Sequence, residues 1–256
     1  MKFIVCIMLF FGIGSLYADN SPADVTKHLG ERIPLDLTFV NSKGDSVLLR
    51  DLITKPTVID FVYYQCAGIC TPLMMELSDV VGKVASDPGK AYNMICISID
   101  QNETPAMAAE KKRLMIGLCK KEVPDSAWMF LTGDSASIDT VTRAAGFGFE
   151  RTYGGFIHKG VLIFVDKTGK IVQYLSPGYV QRTGDFAILP SEFELAVQKA
   201  STGTITSNIA SILQSCRSYI PKGNSGIILL LIGISGPITI IAVIIIIKRA
   251  KVPKEV

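Results

Sequence analysis

The chain has 256 residues and a formal net charge of +3, from 26 Lys and Arg against 23 Asp and Glu. Hydrophobic residues make up 48% and charged residues 19%, which excludes a disordered chain and suffices for the core of one sizeable domain. The positive excess lies at the ends, in Lys2 and in Lys248, Arg249, Lys251 and Lys254 against Glu255; the remainder is close to neutral and offers no basic face to nucleic acid.

Residues 1–18, MKFIVCIMLFFGIGSLYA, place Lys2 before an apolar stretch that ends in small residues. That layout predicts a secretory signal cut after Ala18, with an uncleaved anchor as the alternative. Cys6 falls inside the apolar stretch and reads as part of the signal. Residues 19–31 form a polar N-terminal extension in which His28 reads as a solvated surface residue. In residues 35–49, alternating Leu35, Leu37 and Phe39, the turn NSKGD and a return through Val47 and Leu49 predict a β-hairpin.

Residues 56–64, PTVIDFVYY, are a nearly continuous apolar run, as in a central strand buried on both faces. Helical spacing follows at Leu73, Met74, Leu77, Val80 and Val81, and residues 92–99 are a second buried strand. Residues 104–118 read as a helix opened by Pro105. A strand at 128–131 and a helix at 135–145 come next. Strands at 160–165 and 170–175 are joined by DKTG, a hairpin signal, and a helix at 191–199 closes the domain.

Residues 32–201 are therefore expected to form an α/β domain, a largely parallel sheet with an antiparallel edge and helices on its faces. A strand, a Cys-bearing turn, a helix and a late hairpin make the thioredoxin-like plan, here a sandwich with extra β-hairpins. Residues 202–226 are a linker rich in Ser, Thr, Asn and Gly. Residues 227–247 carry no charge over 21 positions, long enough for a C-terminal transmembrane helix. The basic tail, 248–256, would then be cytoplasmic and the domain extracytoplasmic. The expected location is the cytoplasmic (inner) membrane, single-pass, with the domain on the periplasmic side.

Cys66 and Cys70 in FVYYQCAGIC stand at the C-terminal end of the first central strand, where ligands of such sheets bind. On a helical turn their Cβ atoms would lie about 5–6 Å apart, within reach of a disulfide or of one shared ion. Three readings follow: a structural staple, a redox couple, or two arms of a metal site. An exported compartment favours oxidation, but so short a loop constrains the unfolded chain little. A redox pair is more often CxxC. A metal site needs a third ligand, and His158, just before the strand at 160–165, can complete a Cys-Cys-His set; the alternative is an ordinary loop histidine. Soft thiolates select Cu(I), with zinc as competitor, and imidazole also suits Cu(II). Cys96 lies in a buried strand and reads as a small apolar residue; Cys119 follows a helix beside Lys120 and Lys121 and Cys216 is in the linker, and neither has a nearby ligand in sequence.

Four segments together resemble the Sco family of copper-binding, thioredoxin-like proteins that help mature cytochrome c oxidase. They are FVYYQCAGIC, CISIDQNETP (like SxDPxxDTP), FLTGDSASIDTVTRAAGF (like LTGxxxxIxxxAxxxG) and HKGVLIFVDKTGKI (like DHSxxxxLxDxxGxx). The resemblance covers residues 32–201. It implies that Cys66, Cys70 and His158 are copper ligands, and that extra hairpins lie near the start and between a late helix and strand. It also implies a role in delivering copper to the dinuclear centre of oxidase subunit II, or to another copper- or thiol-bearing respiratory protein, and in reducing that centre's cysteines. The chain departs from the family pattern at CAGICTP for CPxxCP, at Ile157 for Asp and at Lys159 for Ser, positions that orient ligands and tune affinity. The alternative activity is a membrane-tethered thiol–disulfide oxidoreductase using Cys66 and Cys70 as the redox-active pair. A peroxidase would need an activating Arg and Thr; Thr71 follows the pair and no Arg is near in sequence.

Overall fold

The computed structural model describes residues 22–66, 68–180 and 185–205, all within a unit that ends at Ile205. The chain opens with the hairpin β1 (Thr38–Asn41) and β2 (Ser46–Leu48) and a single turn, α1 (Leu49–Leu52). The central units follow as β3 (Thr57–Val62), α2 (Cys70–Lys83), β4 (Asn93–Ser98), α3 (Pro105–Leu118), β5 (Trp128–Thr132) and α4 (Ser135–Ala144). After a second hairpin, β6 (Phe149–Thr152) and β7 (Gly155–His158), come β8 (Leu162–Val165) and β9 (Ile171–Leu175). A third hairpin, β10 (Gly178–Val180) and β11 (Asp185–Ala187), leads to α5 (Pro190–Thr202).

Among the described residues, seven strands form one sheet in the order β2-β1-β5-β4-β3-β8-β9. Only β3, β4 and β5 are mutually parallel; β1 runs antiparallel to β5, and β8 to both β3 and β9. The expected largely parallel sheet is thus corrected to a mixed one with a parallel centre. The reason is that β8, LIFV, is buried at every position, and two-sided burial produces the same apolar run whichever way a strand points.

Alternation along β3 divides the core. Val58 and Val62 face α2, α3 and α5 in a cluster with Leu73, Met74, Trp128 and Phe193. Ile59 and Phe61 face the opposite layer, with Phe39, Ile138 and Val141. Each helix hides an apolar stripe against one side of the sheet, the α/β solution to burying both faces.

The described part of the N-terminal extension is folded onto this frame. Thr26 N–H donates to Gly146 O at 2.8 Å and Gly30 N–H to Ile171 O at 2.8 Å. Gly146 has φ +61°, and a Cβ there would overlap Thr26 O. His28, expected to be solvated, instead sets its Nδ1 3.1 Å from Ala144 O, at the end of α4. The strap's backbone bonds fix that position, and no hydropathy pattern encodes them.

The hairpins β6–β7 and β10–β11 were not placed from the residues, although the resemblance implied one between a late helix and strand. Among the described residues no helix is long and apolar enough to cross a membrane. The expected signal at 1–18, the span at 227–247, the tail, Cys6 and Cys216 lie outside the described residues.

Candidate metal centre

Beyond Val62 the chain leaves the sheet and turns, with Cys66 N–H donating to Tyr63 O at 3.2 Å. Helix α2 starts only at Cys70, so the two cysteines do not share a helical face as their spacing suggested. Cys66 occupies the turn and Cys70 the first turn of the helix. Both are buried, at 4% and 1% exposure, and both are free thiols.

His158 reaches them from the other end of the sequence. It closes β7, paired with Phe149, and so lies in a strand and not in the expected loop. Its Nε2 stands 3.0 Å from Cys70 Sγ. The other ring nitrogen, Nδ1, is 3.2 Å from Lys159 O. A carbonyl can only accept, so Nδ1 carries the proton and Nε2 turns a lone pair toward sulfur. Burial holds the His158 pKa below its ordinary value, which keeps the imidazole neutral and fit to be a ligand.

The two sulfurs are unequal. The Cys70 thiol donating to Cys66 is the largest influence lowering the Cys66 pKa, to about 5. The Tyr63 hydroxyl and the backbone N–H groups of Cys70 and Gly68 add to it against the opposing effect of burial. Cys70 is pushed up, first by its bond to Cys66 and then by burial. One thiolate and one thiol therefore share the site, and the single Cys70 proton has two acceptors beside it, Cys66 Sγ and His158 Nε2. Among the described residues no three His, Cys, Asp or Glu side chains already surround a common point as a metal cage would.

Aromatic rings wall the site. Tyr63 meets His158 edge-on at 6.3 Å, Phe147 lies 5.7 Å from it, and Phe156 packs on Tyr63 at 5.3 Å. Gly155, at φ +139°, makes room for this wall, since a Cβ there would stand 2.7 Å from the Tyr63 hydroxyl. Thr71 O–H donates to Cys66 O at 2.6 Å, and Lys111 Nζ donates to Thr71 Oγ1 at 3.0 Å. Thr71 thus braces the turn through its backbone. Tyr63, Lys111 and Glu103, which bonds the same turn, were not singled out from sequence. The aromatic at the strand end was a visible signal for Tyr63 only.

The other described cysteines do not join the site. Cys96 is fully buried and accepts from Trp128 Nε1–H at 3.3 Å. Cys119, half-buried at the end of α3, bonds Met115 O at 3.5 Å.

The SCO1/SenC family model matches residues 26–185, more than half of the chain. The chain belongs to the SCO1/SenC family. No curated protein matches it. A candidate electron transfer protein from Aquifex aeolicus VF5 is 23% identical over 67% of this chain and 94% of its own, with a TM-score of 0.58. Arabidopsis thaliana ScoI, solved with copper bound, is 18% identical over 64% and 96%, with a TM-score of 0.51. BsSco, a member of the Sco family of cytochrome c oxidase assembly proteins in which a disulfide switch was identified, is 21% identical over 69% and 98%, with a TM-score of 0.52. At these identities the structural likeness establishes the common fold. Family membership agrees with the α/β, thioredoxin-like reading of the sequence.

Proposed function

We propose that this SCO1/SenC protein binds copper as cargo through Cys66, Cys70 and His158 and passes it to a cysteine-bearing respiratory partner, for assembly of the dinuclear copper centre of cytochrome c oxidase. In this reading it is an extracytoplasmic protein held in the cytoplasmic membrane by residues 227–247. The observation that carries the copper assignment is the contact of His158 Nε2 with Cys70 Sγ at 3.0 Å. It unites a thiolate, a thiol and a neutral imidazole in one buried place, the soft donor set that suits Cu(I) and also accommodates Cu(II). Three protein donors fall short of the four usual at a structural zinc site. The ring is held by the Lys159 carbonyl, so Nε2 is presented without a search over tautomers. Only the Cys70 thiol proton must be displaced for both sulfurs to bind as thiolates. A recipient with its own thiols can then exchange ligands one at a time.

A second reading is favoured by the inequality of the sulfurs. Cys66 as thiolate is set to attack a substrate disulfide, forming a mixed disulfide and releasing one substrate thiolate, which takes a proton from water. Cys70 then loses its proton, attacks Cys66 and releases the second substrate thiolate. The substrate gains two electrons, the pair ends as a Cys66–Cys70 disulfide, and an external dithiol must return two electrons for another turnover.

One set of samples tests both readings: the reduced full chain, His158→Ala and Cys70→Ala. Copper delivery expects about one copper per chain and, in His158→Ala, a loss of affinity on the order of 10–100-fold or more. Unchanged copper stoichiometry and affinity in His158→Ala would sink the three-donor site. Catalytic reduction of a disulfide by the metal-free protein, retained in His158→Ala and abolished in Cys70→Ala, would favour the second reading.

A further inference from the structure

Glu103 follows β4 in the segment that enters α3, and 38 residues separate it from Gln65 in sequence. It is 7% exposed, yet both of its carboxylate oxygens are used. Oε2 accepts from Tyr64 N–H at 2.7 Å and from Ser98 O–H at 2.6 Å, and Oε1 accepts from Gln65 N–H at 2.8 Å. We propose that Glu103 is a positioning residue for the Cys66–Cys70 pair, its carboxylate gripping two successive amides so that the chain turns and delivers Cys66 to Cys70.

Three features give the contact this direction. First, the parallel ladder of β3 runs out at Val62, whose carbonyl accepts from Ile99 N–H at 2.7 Å. The buried Tyr64 amide beyond that point needs another acceptor. Second, successive N–H groups of an extended strand point to opposite sides, whereas those of Tyr64 and Gln65 converge on one carboxylate. An acceptor with two oxygens at fixed spacing therefore selects the turned conformation over the extended one. Third, the grip has firm supports. The Tyr64 hydroxyl donates to Leu131 O at 2.7 Å, and Glu103 N–H donates to Asp100 O at 3.0 Å. Thr71 holds the carbonyl side of Cys66; Glu103 holds the approach from the amide side.

The consequence for copper rests on the proposed function. The consequence for the thiol pair does not, because forming or breaking a Cys66–Cys70 bond needs the same turn.

The test uses the full chain and the variants Glu103→Gln, Glu103→Asp and Glu194→Gln. Gln keeps the length but presents an amide N–H₂ to an N–H donor. Asp keeps both oxygens one methylene short. Glu194, on α5, is a matched control, since its carboxylate likewise accepts from an N–H and an O–H, both of Ser86, beyond the far end of α2. The readouts are the equilibrium of the Cys66–Cys70 couple against dithiothreitol and the copper affinity of the reduced chain. Glu103→Gln is expected to move the redox equilibrium constant about tenfold or more, on the order of 30 mV for this two-electron couple. Glu103→Asp should show an intermediate shift, and Glu194→Gln a change within about twofold, a factor well below the tenfold that separates 30 mV. Copper affinity should fall in the same order. A shift in Glu103→Gln and Glu103→Asp no larger than that of Glu194→Gln overturns the proposal. If Glu103→Gln does not fold, Glu103→Asp against Glu194→Gln decides alone. If the parent chain binds no copper, the copper reading fails while the redox comparison still judges Glu103.

Discussion

Asp60 is the residue at which local pattern and energetics disagree. It lies in β3 on the face of Val58 and Val62, 2% exposed, and neither carboxyl oxygen has a hydrogen-bond partner among the described residues. Burial raises its pKa well above the usual carboxylate value. Below about pH 4 both folded and unfolded chains hold that proton and it has no net effect on stability. Above this, the unfolded chain gains by ionising and the folded one does not. Stability is therefore lost at about 1.4 kcal/mol per pH unit until the buried group ionises. Asp60→Val should raise stability at pH 7 by about 1–3 kcal/mol or more, the cost of an unsatisfied buried polar group. The gain should shrink as the pH falls to about 4, where the part linked to ionisation is gone and only the cost of the unpaired protonated carboxyl remains. Denaturant unfolding of both proteins across that range checks it, and a less stable Asp60→Val at pH 7 would show that the carboxyl has a partner. Sequence reading took PTVIDFVYY as a buried strand and was right about the strand. The composition of the run gave no sign that its one acid lacked a partner, because pairing depends on neighbours from other elements.

The hairpin β6–β7 is the element on which the site depends most. It carries His158 at its base, while β6 is exposed along most of its length and Tyr153 at its tip is fully exposed. Arg151 ties its exposed strand to the domain. Its guanidinium donates to Asp100 Oδ1 at 2.7 Å and, within the hairpin, lies 4.5 Å from the centre of the ring of its cross-strand partner Phe156. The segment after β4 therefore restrains both halves of the site, the cysteine turn through Glu103 and the histidine hairpin through Asp100. The ion pair is partly exposed and contributes about 0.2–1 kcal/mol. Arg151→Ala should accordingly leave global stability within about 1 kcal/mol of the parent. It should also speed amide hydrogen exchange in residues 149–158, because the exposed strand β6 loses its ion pair to the domain and opens locally more often. Unchanged exchange there would mean that the aromatic wall alone holds the hairpin. This element escaped sequence reading because FERTYGGFIH has no apolar alternation. A hairpin exposed on most of one strand has no face to encode.

At the scale of the whole molecule, the two ends of the sequence complete the functional reading. In the proposed reading residues 1–18 act as a leader, and the uncharged stretch at 227–247 followed by four basic residues acts as one C-terminal anchor with the domain outside. Membranes carrying the full chain should retain it through an alkaline carbonate wash. Protease should release the domain from right-side-out vesicles and spare it in inverted ones; release by carbonate, or the opposite protection, would overturn the topology. Hydrophobic periodicity, with turn and helix-start signals, determined the seven strands of the main sheet and helices α2–α5, and that Cys66 and Cys70 stand where β3 gives way to α2. It could do so because burial of a face is written locally, every second residue in a strand and every third or fourth in a helix. Only the tertiary structure decided that β8 runs against β3, that His158 meets Cys70 across 88 residues of sequence, and that Glu103 grips the turn before Cys66. Periodicity records that a residue is buried but not which way its strand runs or what it touches, and those are settled when elements remote in sequence pack together.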